Sequence, residues 1–130
     1  MSKIKIFSLG GLNENGKNMY IVEVDDNIFV FDAGLKYPTM GMLGVDYIIP
    51  DYDYLEKNQK RIKGVFITHA HPESCGGVGD LIKTIPSIKV YATKYTKNQM
   101  VLNGVDESKI VEIKPHRKIN FGSASVFPIH

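Results

Sequence analysis

The residues best placed to do chemistry lie in "GVFITHAHPESCGG", positions 64–77, where an apolar run feeds a histidine-rich turn and then a glycine pair. His69 and His71 stand two apart. In extended backbone alternate side chains project to the same side, so both imidazoles can converge on one metal ion. Pro72 fixes its own φ and keeps His71 extended, while Gly76 and Gly77 allow close chain approach before the next helix. A catalytic zinc usually keeps three protein ligands, so an H-x-H pair needs further donors from elsewhere.

Such a turn needs a rigid base, and the flanking sequence supplies one. "KGVFIT" is apolar enough to be a strand buried on both faces. Ahead of it, "KIKIFSL" reads as a strand over residues 3–9, wet on one side. "NMYIVEV" and "NIFVFDA" form a hairpin around Asp25 and Asp26. Residues 34–50, punctuated by Pro38, Gly41, Gly44 and Pro50, read as a structured loop, and "DYDYLEKNQKRI" as a helix over about 51–61 with acidic start and basic end. Helices near 75–84 and 94–102 then alternate with strands at 88–92 and 109–113. Two last strands follow around "KINF" and "SASVFPI". Strands first and strand–helix alternation later indicate an α/β class, a mixed sheet with helices on its outer face. The chain stops at "SVFPIH", inside the last expected strand, which suggests the front portion of a longer protein.

Bulk composition narrows the setting. At 130 residues, 43% hydrophobic and 23% charged, the chain suits one modest domain with a core, and a second complete domain does not fit. A net charge of +2 from 16 basic and 14 acidic residues argues for neither nucleic acid nor membrane. Cys75 is the only cysteine, so no internal disulfide forms and a reducing, cytoplasmic setting is expected. No apolar run approaches the roughly 20 residues needed to cross a bilayer.

Longer blocks carry a specific resemblance. "LGGLNENGKNMYIVEVDDNIFVFDAGLKYP" and "MLGVDYIIPDYDYLEKNQKRIKGVFITHAHPESCGG" resemble the N-terminal motifs of the ribonuclease J family, metallo-β-lactamase/β-CASP ribonucleases, and the turn resembles that superfamily's H-x-H-x-D-H signature. The resemblance implies a metallo-β-lactamase-type αββα sandwich. Residues 1–130 would be its N-terminal part, with the β-CASP and C-terminal parts absent. It implies up to two metal ions, usually zinc, activating water to cleave RNA phosphodiesters. It also implies RNA as the partner of the full-length protein, and a homo- or hetero-oligomer with a ribonuclease J paralogue. On this carry-over His69 and His71 are ligands of the first metal, and Asp32 is a buried acid supporting them.

The pattern departs from the family at two places. The signature's Asp falls at Glu73, one methylene longer, and its next His falls at Ser74, a poor zinc ligand; in the family these two hold the second metal. Glu73 is then a displaced ligand and catalytic carboxylate, or a solvated acid in a first helical turn. Ser74 reads as a degenerate ligand position now serving as a helix N-cap. Cys75 could complete H-x-H-x-x-x-C, but a small buried cysteine fits its apolar position better. His130 either is the family's next ligand or falls short of it, and the count from Gly122 places it short. His116, Lys94 and Lys97 read as polar surface, and Tyr47, Tyr52 and Tyr54 as packing. The expected function is a ribonuclease J-like metallohydrolase in RNA processing with a degenerate metal site. The alternatives are a non-catalytic partner subunit of an active paralogue and, third, a small-molecule hydrolase of the same fold.

Overall fold

A computed structural model describes all residues, 1–130. Six strands form one sheet in the order β1-β2-β3-β4-β5-β6: β1 (Ile4–Gly10), β2 (Met19–Val24), β3 (Asn27–Phe31), β4 (Ile62–Phe66), β5 (Val90–Ala92) and β6 (Ile110–Glu112). The first three pair antiparallel, with Asp25 at φ +55° in the tight turn between Val24 and Asn27. From β3 onward the pairing is parallel. Parallel neighbours require crossovers, and these carry helices α1 (Asp53–Lys57), α2 (Pro72–Cys75), α3 (Val78–Thr84) and α4 (Lys94–Leu102). A separate hairpin, β7 (Ile119–Phe121) with β8 (Ala124–Val126), ends the fold.

Alternation along the strands sorts the two faces of the sheet. Met19, Ile21, Ile28, Val30, Val65, Val90 and Ala92 are fully buried and meet Leu55, Val78, Leu81 and Met100 from the helices and Ile85 just after α3. On the opposite face Phe66 of β4 stacks between Phe31 of β3 and Tyr91 of β5, and Phe121 of β7 meets Phe29, Phe66 and Tyr91 edge-on at 5.4–5.9 Å. The result is a helical layer, a mixed sheet and the beginning of a second sheet, as the α/β expectation required.

Three expectations shift in detail. The helix over 51–61 is one α-helical turn followed by a 3-10 turn at Gln59–Arg61. The helix near 75–84 starts earlier, at Pro72, and breaks at Gly76–Gly77 into α2 and α3. The final strand ends at Val126, so residues 127–130 lie outside it. The 34–50 segment is the expected structured loop, pinned by paired backbone bonds between Lys36 and Ile48. No helix is long and apolar enough to cross a membrane.

Candidate metal-binding turn

β4 runs out at Phe66, and the next five residues place the candidate ligands at the end of the parallel sheet. His71 is extended, φ −73° and ψ 146°, as the following proline demands, and Pro72 occupies the first position of α2, where its missing N–H costs nothing. The His69 and His71 rings meet edge to face with centroids 4.7 Å apart, and both side chains are exposed. The two imidazoles are therefore neighbours on the surface.

Beneath them lies Asp32. It follows β3 with φ +68°, a left-handed conformation that aspartate adopts more readily than most residues, and it is 6% exposed. Its Oδ1 accepts the Thr68 backbone N–H at 2.8 Å, and the Thr68 hydroxyl lies 3.0 Å from each carboxylate oxygen. Burial pushes the Asp32 carboxyl above its ordinary range, and the Thr68 hydrogen bonds oppose that rise. Thr68 Oγ1 also sits 2.8 Å from His69 Nδ1, so the buried acid reaches the first histidine through one hydroxyl. Thr68 was not among the expected site residues; its position directly before H-x-H was the available signal.

The turn after the histidines is held by backbone. Ala33 N–H donates to Ser74 O and Gly77 N–H to Ala33 O, both at 2.8 Å; Leu35 N–H donates to Pro72 O and Asn18 N–H to Glu73 O, both at 3.0 Å. Gly34 sits so close that an added Cβ would overlap the Glu73 carbonyl. Asn18 and Gly34 thus fix where α2 begins, a role that only the packed structure reveals.

Ser74 corrects one expectation. It lies inside α2 rather than at a cap; the N-cap of α2 is His71 and that of α3 is Gly77, neither with a side-chain cap bond. Its side chain is fully buried, turned toward Asp32 closely enough to hold that carboxyl down slightly. Even so, Oγ lacks a hydrogen-bond partner of good geometry. Glu73 is half-exposed in the first turn. Cys75 belongs to the core, and burial pushes its thiol up to about 11, with Asp32 and Glu73 adding to the rise.

Other candidates lie outside the cluster. Tyr52 is buried and donates to Gly77 O, and Tyr54 packs on Phe7 and donates to Glu23; both are packing residues. Tyr47 donates to Asp80 at the mouth of a cleft of about 450 Å³, which Ala70 and Pro72 line but neither histidine does. His116 is a turn residue at φ +63° against Phe127, and Lys97 pairs with Glu107.

The metal that this turn implies can be tested against its donors. The two imidazoles lie edge to face with centroids 4.7 Å apart, but no group of three or more His, Cys, Asp or Glu gathers within these 130 residues. Asp32 is committed to Thr68, and Ser74 offers a buried hydroxyl. The residues present therefore fit two ligands of a first ion, His69 and His71, and do not by themselves complete a site.

The metallo-beta-lactamase superfamily model matches residues 12–112. The chain belongs to that superfamily. Among its curated relatives, ribonuclease J2 of Bacillus subtilis (strain 168) is 48% identical over 72% of this chain and 17% of its own length. Ribonuclease J of Mycoplasma pneumoniae is 43% identical over 81% of this chain and 18% of its own. Of solved structures, a B3 metallo-beta-lactamase with an active-site glutamic acid superposes at TM-score 0.58 with 15% identity, covering 92% of this chain and 47% of that one. That likeness concerns the fold alone. The superfamily match and these relatives bear out the resemblance and the α/β fold expected from sequence. The chain spans about a fifth of the length of these ribonuclease relatives.

Proposed function

We propose that this chain is the N-terminal part of the metallo-β-lactamase domain of a ribonuclease J-type protein that acts in RNA processing and decay in the cytoplasm. In this reading His69 and His71 hold one ion, zinc by family habit, with remaining donors supplied from outside residues 1–130. A metal bound there would supply a Lewis acid and an activated water for phosphodiester hydrolysis. The chain's own contribution is orientation: β4 and Pro72 aim the histidines, and Asp32 and Thr68 brace the first of them from below.

The observation that carries the proposal is the contrast between Ser74 and the histidine pair. The position that should present the second ion's histidine holds a hydroxyl that is fully buried and points into the protein. Glu73, in the place of the family's aspartate, carries its carboxylate one methylene further out, and small misplacements are costly where a carboxylate must orient water. We therefore place this protein among ribonuclease J-type chains with a weakened di-metal centre. The same contrast favours a second reading, a partner subunit that assembles with an active paralogue and contributes structure rather than chemistry.

Zinc content and single-turnover RNA cleavage of the full-length protein test this. Fewer than two zinc ions per chain, with cleavage weak or absent, is the expected outcome. Two tightly bound zinc ions, together with cleavage abolished by His71→Ala, would overturn the weakened-site proposal.

A further inference from the structure

With Asp32 ionised, the hydrogen-bond arithmetic at Thr68 has one consistent solution. A threonine hydroxyl has a single hydrogen to donate and two lone pairs to accept with. Its oxygen is 3.0 Å from both carboxylate oxygens of Asp32 and 2.8 Å from His69 Nδ1. Asp32 Oδ1 already accepts the Thr68 backbone N–H at 2.8 Å, so the carboxylate is receiving hydrogen bonds. The hydroxyl hydrogen goes to Asp32, and the lone pair left on Oγ1 faces the imidazole. The proton in the remaining contact must come from Nδ1.

We infer that Thr68 is a positioning residue that holds His69 as its Nδ1–H tautomer and leaves the Nε2 lone pair free on the exposed side. In a neutral imidazole one ring nitrogen is the donor and the other the acceptor, so fixing the hydrogen at Nδ1 fixes the metal-binding atom at Nε2. Partners behind a metal-binding histidine commonly set its tautomer and ring orientation in this way. Here the partner is a hydroxyl backed by a buried acid, and both ends are rigid: Asp32 is anchored to β4 by its backbone N–H to Phe66 O at 2.9 Å, and Thr68 by its own N–H to Asp32. The use of Nε2 on a metal rests on the proposed function, whereas the tautomer does not.

The test is a long-range proton–nitrogen correlation spectrum of this chain without metal, at mildly alkaline pH, with His69 assigned by the loss of its signals in His69→Gln. The wild-type ring is expected to show the Nδ1–H pattern, Thr68→Ser to keep it, and Thr68→Val to shift toward the pattern of free histidine. An Nε2–H pattern in the wild-type chain overturns the inference without any variant, and so does a Thr68→Val spectrum that matches wild type. A role confined to stability would leave the tautomer where it was. In the full-length protein, Zn(II) affinity is expected to fall about 10–100-fold in Thr68→Val and to recover in Thr68→Ser. Full-length protein that takes up no Zn(II), while the tautomer stands, would count against the functional proposal and leave this inference in place.

Discussion

Two buried acids at opposite ends of the sheet are treated in opposite ways. Glu23, on β2, is 4% exposed and fully engaged: Arg61 Nη2 lies 3.0 Å from Oε2 and the Tyr54 hydroxyl donates to Oε1. Arg61 in turn is held by Asn58 Oδ1 and Asp26 O, so the hairpin and the turn after α1 are riveted together. Asp32, equally buried, has no Lys or Arg paired with it. Its partners are the backbone and hydroxyl of Thr68, and through that hydroxyl the exposed His69. A buried charge paired with a guanidinium joins elements of structure, whereas Asp32, left with neutral donors, lies under a surface turn and suits the supporting role proposed for it above.

Breaking the turn itself should have the largest effect. Gly34→Ala drives a Cβ into the Glu73 carbonyl, a backbone atom that α2 holds in place, so neither side can yield cheaply. Urea unfolding is expected to show a loss of about 3 kcal/mol or more. An unchanged midpoint would mean that α2 is free to move away from residues 33–35.

Next comes a paired substitution that sets one acid against the other. Glu23→Ala strips Arg61 and Tyr54 of their partner, at a cost of about 2–3 kcal/mol, tempered because Arg61 is a third exposed and can turn to water. Asp32→Asn removes a charge that burial already disfavours, keeps a side-chain oxygen for Thr68, and suits the positive φ. Metal-free stability is expected to stay within about 0.5 kcal/mol of wild type or to rise. Equal losses at the two sites would erase the distinction between them.

A smaller effect than the loss at Glu23 is a pH dependence near the turn. Burial lifts the Cys75 thiol from 9.0 to about 11, so between those values the folded chain holds a proton that the unfolded chain has released. Stability should therefore be complete below about 9 and fall as pH rises toward 11, by about 1–2 kcal/mol. Chemical denaturation across that range should show the decline, and Cys75→Val should flatten it. Tyr52, whose phenol burial also pushes upward, remains as a common background in both chains.

Much of the architecture is legible in residue order because its signals are local. Alternation marks β1, the Asp25–Asp26 turn marks the hairpin, and the apolar run before His69 marks a buried strand. The split of the helix at Gly76–Gly77 was less visible, since Leu35, distant in sequence, packs where a Cβ of Gly76 would stand. Within the site, H-x-H spacing announced His69 and His71, and the family blocks pointed to Asp32. Thr68 had only its place directly before H-x-H to mark it, and Asn18 and Gly34 were silent because each acts through a backbone contact with a chain segment far away in sequence.

Residue order by itself determined which side chains are available: two imidazoles at extended spacing, a proline to hold the second, and a glutamate and a serine where the family pattern has aspartate and histidine. Only the tertiary structure decided how those side chains are used. It turns Ser74 inward, ties Asp32 to His69 through one hydroxyl, and gathers no third donor beside the pair. The physical reason is that spacing and rotamer preference act over a few residues. Burial and hydrogen-bond satisfaction are settled among segments that meet only when the sheet is assembled.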